Sequence, residues 1–308
     1  MTCTPPNNFP CPYSIGSDFH LRVSPPSGPS FHAHATVIKT YEPFTISPVM
    51  QISLDATGLD EQQLPHRLPA KLVLKVYDQR FAYGLREYYG LRPLTDEIEK
   101  RYRQYVASGR APKEYDAIGD LIETYGGFEE SPPELLEHFL AAKIAPHFRT
   151  ECLIYQRLES LQGRDIPKFY GSTEFVGSST VPGLSMSVPG ILLEVIEGTS
   201  LENIDSSLLD LNGVFNDAIR IINSCGDLGV VNYDVRLSNF MVRPRGSVAM
   251  IDFAQARLRR EDETDLDWNR TKWDEDEEGC VGTAGAMKFG WPYVRSSKYC
   301  PPSKYGLH

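Results

Sequence analysis

The spacing of apolar and polar positions alternates between strand and helix periods along this chain. From His34 it reads as strands: Thr36-Val37-Ile38-Lys39-Thr40-Tyr41, then Val49-Met50-Gln51-Ile52-Ser53-Leu54, then Lys71-Leu72-Val73-Leu74-Lys75-Val76-Tyr77. Three antiparallel strands are the simplest arrangement of these runs. In the third, alternation sets Leu72, Leu74 and Val76 on one face and Val73, Lys75 and Tyr77 on the other, so a lysine stands among residues that line a buried surface. From residue 93 to 161 the period is helical. Thr95 is placed to cap a helix carrying Ile98, Tyr102 and Tyr105, and Ser131-Pro132-Pro133-Glu134 has the form of a capping box with proline at the first helical position. A further helix, about Phe148 to Leu161, sets Ile154, Leu158 and Leu161 on one stripe with Glu151 and stops at Gly163. The strand period returns at Gly190-Ile191-Leu192-Leu193-Glu194-Val195-Ile196, and a helix from about Leu211 to Cys225 follows.

Two stretches break these periods. Residues 1–30 hold seven prolines with Ser, Asn and Gly between them, and so little apolar surface predicts a disordered arm. Between Glu261 and Glu278, ten Asp or Glu stand against Arg270 and Lys272, and a run of like charge predicts a solvated, mobile segment. Its functional use would be the recognition of a cationic ligand. The tail from Tyr293, with Arg295, Lys298 and Lys304, is expected to pair with that run or to fray.

Charge and cysteine usage narrow the partners. A formal charge of −10 disfavours nucleic acid and anionic lipid, which both require a positive surface. No apolar run approaches the roughly 18 residues of a membrane span, so no membrane insertion is expected. Met1 to Ser14 has neither the basic end nor the apolar stretch of a secretory signal. The six cysteines form no C-x-x-C pair and read as free thiols. An intracellular location, cytoplasmic or nuclear, is the expectation.

The chemistry concentrates late in the chain. Val230-Val231-Asn232-Tyr233-Asp234-Val235-Arg236-Leu237-Ser238-Asn239 contains Asp-x-x-x-x-Asn before an apolar strand, and Asp252-Phe253 comes thirteen positions after Asn239. This resembles the catalytic loop and metal-binding motif of the protein-kinase-like superfamily. Upstream, Val73-Leu74-Lys75-Val76 resembles its lysine strand. Glu151-Cys152-Leu153-Ile154-Tyr155 resembles its glutamate helix, and Leu192-Leu193-Glu194-Val195-Ile196 its hinge. The resemblance covers about residues 34–256. It is nearest to aminoglycoside- and choline-kinase-like proteins and a divergent fungal kinase-like group.

The resemblance implies an α+β, bilobal fold. Residues 31–196 would form an N-terminal lobe, an antiparallel sheet with the glutamate helix and a helical insertion at about 78–147. Residues 197–308 would form a mainly helical, shortened C-terminal lobe holding the acidic segment 261–278. It also implies ATP and Mg²⁺ as cofactors and γ-phosphate transfer to a hydroxyl of a protein or small molecule. In that scheme Lys75 holds the α/β-phosphates, oriented by Glu151, and the backbone of Glu194 and Ile196 meets the adenine. Asn239 and Asp252 ligate Mg²⁺, Asp234 takes the acceptor's proton, and Arg236 sits near the transferred group.

The chain departs from the pattern in four places. Glu42-Pro43-Phe44-Thr45-Ile46-Ser47-Pro48 stands where a G-x-G-x-x-G loop is expected. Asn232 replaces the catalytic-loop histidine, and Ala254 the glycine after Asp-Phe. The link from Lys75 to Glu151 is long, suiting a substrate lid or docking element. The stretch after Asp252 is shorter than the family's peptide-binding helices require. The alternative implied is a catalytically weak or inactive pseudokinase acting as a scaffold.

Overall fold

Strand alternation builds a closed barrel. In the computed structural model, which describes residues 10–55, 68–176, 188–205, 207 and 210–301, β1 (Asp18–Ser24) turns Phe19, Leu21 and Val23 inward. It turns Asp18, His20 and Arg22 outward. β2 (Phe31–Thr40), β3 (Val49–Asp55) and β4 (Lys71–Val76) continue the pattern with Ala33, Ala35, Val37, Met50, Ile52, Leu72, Leu74 and Val76 buried. With β5 (Phe169–Phe175) and β6 (Pro189–Leu193) the sheet runs β1-β2-β3-β4-β6-β5 and closes through β1 against β5, every pair antiparallel. Each Leu, Val or Phe fully buried in this interior is worth about 1.5–3 kcal/mol.

To the three strands expected between residues 36 and 77 and the one expected from Gly190, the barrel adds β1 and β5, and the disordered arm is corrected to an ordered segment from residue 10 onward. Tyr13 is fully buried, edge-on to Phe81 at 5.2 Å, and its hydroxyl donates to Asp78 Oδ2 at 2.6 Å. Arg80 grips the same carboxylate through Nε at 2.8 Å and Nη2 at 2.7 Å. Residues 1–9 lie outside the described residues. Gly171 is required where β5 passes the end of β1: its φ is +131°, and a Cβ there would stand 2.3 Å from Ser24 O.

Helices follow the barrel lysine strand: α1 (Tyr83–Tyr88), α2 (Asp96–Ala107), α3 (Tyr115–Thr124) and the 25-residue α4 (Pro133–Arg157). Thr95 caps α2 by accepting from Ile98 N at 3.3 Å. α4 starts one residue later than its capping-box pattern suggests: Pro132 O accepts the first helical bonds, and the Ser131 hydroxyl donates to Gly127 O. The helix expected from Phe148 instead begins at Pro133 and runs through Pro146. Ile118, Ile122, Leu135 and Phe139 form a second small core, beside a buried, two-pronged Arg86–Glu137 ion pair.

The chain divides into two compact units: Met1–Arg149 with Phe169–Val195, and Thr150–Lys168 with Ile196–His308. The last turns of α4 belong to the second unit, which the sequence reading had assigned with the barrel. That unit centres on α5 (Leu211–Asp227), whose Val214, Phe215, Ala218, Ile221, Ile222 and Cys225 are buried. Around it come β7 (Thr199–Ser200), β8 (Val230–Asn232), β9 (Phe240–Val242), β10 (Val248–Met250) and β11 (Ala256–Leu258), paired as β10-β9-β7 and β11-β8. α6 (Asp265–Glu275) and α7 (Glu277–Phe289) complete it. The fold class is α+β, and no helix among the described residues is long and apolar enough to cross a membrane.

Candidate active site

The second unit gathers Asp234, Asn239 and Asp252 by two short β segments. β8 ends at Asn232, so Tyr233 and Asp234 begin a loop; a 3₁₀ turn, Leu237–Asn239, closes it, and β9 carries the chain away. The β9–β10 hairpin returns it to Ile251, whose N–H donates to Asn239 O at 2.8 Å, which brings Asp252 beside the loop.

Each polar side chain here has a defined orientation. Asn239 Nδ2 donates to Asp234 O at 2.8 Å and to Asp234 Oδ2 at 3.3 Å, which turns the Asn239 carbonyl oxygen away from the Asp234 carboxylate. Arg236 Nη2 lies 3.2 Å from Asp234 Oδ2 and is half exposed, so solvent screens the attraction. Asp252 has a φ of +66°, a left-handed conformation that Asp tolerates better than most residues, and its Oδ1 accepts from Ala254 N at 3.2 Å. Non-glycine residues held there cost of order 1–3 kcal/mol and cluster at functional sites. Glu151, fully buried on α4, accepts from Phe253 N through Oε1 at 3.2 Å, while the Phe253 ring meets Tyr155 edge-on at 5.5 Å. The turn after Asp252 is thus anchored from below by the glutamate helix.

Lys75 and Glu194 belong to the first unit, and Ile196, Glu151, Asp234, Arg236, Asn239 and Asp252 to the second. Lys75 is buried at the end of β4, paired in register with Ile191, its ammonium 5.9 Å from the Tyr77 ring centroid. Glu194 follows β6; burial, and after it the Glu194 carboxylate, raise the Tyr170 phenol above its ordinary pKa.

The acidic segment differs most from its sequence reading: it is helical. Thr264 and Asp267 form a reciprocal capping box for α6, and Asp276 caps α7. Glu263 is gripped by Arg257, whose Nη1 and Nη2 each donate to it at 2.8 Å, and those hydrogen bonds hold its carboxyl down at about 2. Glu277 is buried; its Oε1 accepts from Asn232 N at 2.9 Å and its Oε2 pairs with Lys272. Trp268 is buried, with its indole N–H on Gly226 O. The tail does pair with this region, Arg295 Nε standing 2.9 Å from Asp276 and its guanidinium over the Trp273 ring. Lys304 lies outside the described residues.

Sequence reasoning therefore missed Glu277 and undervalued Asn232, whose side chain accepts from Asp234 N at 3.1 Å and donates to Asp252 O at 2.9 Å. A signal for the first of these helices was present, since Thr264-Asp265-Leu266-Asp267 ahead of Trp268 is a capping-box pattern inside the acidic run, but it marks the start of α6 and not the burial of Glu277. Among the described residues no cluster of three His, Cys, Asp or Glu converges as a metal centre. A Mg²⁺ site of one or two carboxylates completed by phosphate oxygens would not form such a cluster. No protein-family model matches the chain, and no curated protein matches it.

Proposed function

We propose that the chain has a two-lobed protein-kinase-like fold and is an ATP- and Mg²⁺-dependent phosphotransferase acting on a hydroxyl. The observation that carries this reading is the bonding of Asp234, Asn239 and Asp252 into one constellation. Asn239 holds Asp234 through its side chain and Ile251 through its backbone, and Asn232 bonds both aspartates' segments.

The donor set fits the cofactor. Mg²⁺ prefers hard oxygens, a few from protein and the rest from phosphate and water. Asp252 supplies carboxylate and Asn239 the amide oxygen turned away from Asp234. Bound Mg²⁺-ATP supplies the phosphoryl group and offsets the charge that develops on its transfer. The residues of this chain then position the acceptor and deprotonate it: Asp234 takes the acceptor's hydroxyl proton, and Arg236, 3.2 Å from the Asp234 carboxylate, offers positive charge beside it. Glu151 fixes the Phe253 backbone, and Lys75 with the Glu194–Ile196 backbone is the nucleotide contact implied by the resemblance.

A second reading, a scaffold without turnover, is favoured by the β2–β3 connection. Residues 41–48 hold Pro43 and Pro48 and no glycine, so the backbone there is poorly suited to cradle phosphates. Thermal unfolding with and without Mg²⁺-ATP distinguishes binding from its absence. At a hundredfold excess over Kd the folded state gains about 2.7 kcal/mol, raising Tm by several degrees. Asp252→Ala should abolish the Mg²⁺-dependent part of that rise. No rise at millimolar ATP overturns the nucleotide site; a rise without phosphate transfer to any acceptor favours the scaffold.

A further inference from the structure

Both polar atoms of the Asn232 side chain, and its backbone N–H, are engaged. The N–H donates to Glu277 Oε1 at 2.9 Å, Oδ1 accepts from Asp234 N at 3.1 Å, and Nδ2 donates to Asp252 O at 2.9 Å. One buried side chain therefore spans the loop that carries Asp234 and the turn that carries Asp252. Its backbone in turn is tied to the first turn of α7, where Glu277 is buried and paired with Lys272 from the last turn of α6. Lys272 also donates to Val230 O at 3.4 Å, in the same short strand as Asn232. Nothing in a mobile acidic tail would require a buried, doubly used carboxylate. An amide that donates on one side and accepts on the other, on the other hand, fixes a distance.

We propose that Asn232 and Glu277 are positioning residues: Asn232 sets Asp234 and Asp252 relative to each other, and Glu277 fixes Asn232 from the α6–α7 corner. Lys272 neutralises Glu277 so that the carboxylate can be buried. The consequence for turnover rests on the phosphotransferase reading, while the consequence for backbone order does not.

The test uses the full chain with three changes. Asn232→Asp keeps the shape and the acceptor for Asp234 N but sets a carboxylate oxygen against Asp252 O. Glu277→Gln with Lys272→Met removes both charges and keeps an acceptor for Asn232 N. Glu277→Leu with Lys272→Met removes the acceptor as well. Outer partners of a metal site typically alter affinity or activity by about 10–100-fold. Asn232→Asp should accordingly lower kcat at least ~10-fold and raise the Mg²⁺ concentration for half-maximal rate, with KM for ATP within about 2-fold. Amide exchange without nucleotide should quicken across residues 230–240 in Asn232→Asp and in the leucine double variant, and stay as in the wild type in the glutamine double variant. Wild-type exchange and Mg²⁺ dependence in Asn232→Asp overturn the proposal, as does equal exchange in the two double variants. If Asn232→Asp does not fold, the two double variants decide it. If the wild type neither binds nor turns over Mg²⁺-ATP, the phosphotransferase reading fails and the exchange comparison still judges the positioning role.

Discussion

Asp252 combines two properties that substitution can separate, a left-handed backbone and a carboxylate. Asn accepts positive φ nearly as well as Asp, whereas Ala does not. Asp252→Asn should leave Tm within a few degrees of wild type and remove the Mg²⁺-dependent stabilisation, while Asp252→Ala should lose both; calorimetry with and without Mg²⁺-ATP reads the difference. Asp234→Asn should lower phosphate transfer by about 10²–10⁴-fold, the usual worth of a general base, and leave the nucleotide-induced Tm rise intact. Thiol chemistry gives a check on burial that is independent of function. Burial pushes the Cys152 thiol up to about 12 and Cys11 up to about 11, so neither offers thiolate at pH 7.5. Exposed Cys300 should be alkylated by iodoacetamide well before them in peptide mapping of the native protein. At this scale the loop residues were legible through the resemblance of their spacing to a known motif, and the structure bonds the segments of Asp234, Asn239 and Asp252 to one another. Glu277 was not, because a carboxylate's burial depends on Lys272 and Asn232 arriving from elsewhere in the chain.

Elements were legible where their period was undisturbed and illegible where proline intervened. α2 lies where its apolar spacing and its Thr95 cap predict, and α5 where its apolar spacing does. β1 was lost among prolines, although Phe19, Leu21 and Val23 alternate with polar residues at a strand's period. The helix expected from about Phe148 is the end of the 25-residue α4, which runs through Pro146: an interior proline forfeits one backbone hydrogen bond, and a helix of this length has many others. Barrel closure makes β1 testable. Leu21 is fully buried within the sheet, so Leu21→Ala should cost about 2–5 kcal/mol, while His20→Ala, on the outer face, should fall within about 0.5 kcal/mol of wild type. Urea unfolding of the two variants checks this, and equal, negligible effects would mean the arm is not part of the barrel. α7 carries a comparable constraint. A Cβ at Gly285 would come within 2.4 Å of the Phe215 ring, which is fully buried and stacked on Trp291 at 4.8 Å. Gly285→Ala is expected to destabilise by about 1–3 kcal/mol despite alanine's better helix propensity.

Across the whole molecule, the acidic balance of −10 looks like surplus surface charge, but several carboxylates are interior. Asp78 and Glu137 in the first unit, and Asp165, Glu263 and Glu277 in the second, are each buried against a cation. Burial pushes the Asp165 carboxyl up, but hydrogen bonds from Arg220 and Arg164 outweigh it and hold the group below its ordinary range. Glu263 is held lower still, at about 2, by Arg257. A carboxyl whose pKa is lower folded than unfolded binds fewer protons when folded, so it stabilises the fold at neutral pH. For Glu263 that contribution is complete above its unfolded pKa, roughly 4.3, and disappears as pH falls through about 2. The stability difference between wild type and Glu263→Gln should therefore be largest near pH 7, shrink from about pH 5 downward, and approach a constant low value near pH 2. Urea midpoints measured at steps across that window read it directly. A difference that stays constant with pH would mean that Glu263 is not held ionised by Arg257, and that the α6 segment is less firmly joined to β11 than the two guanidinium bonds require.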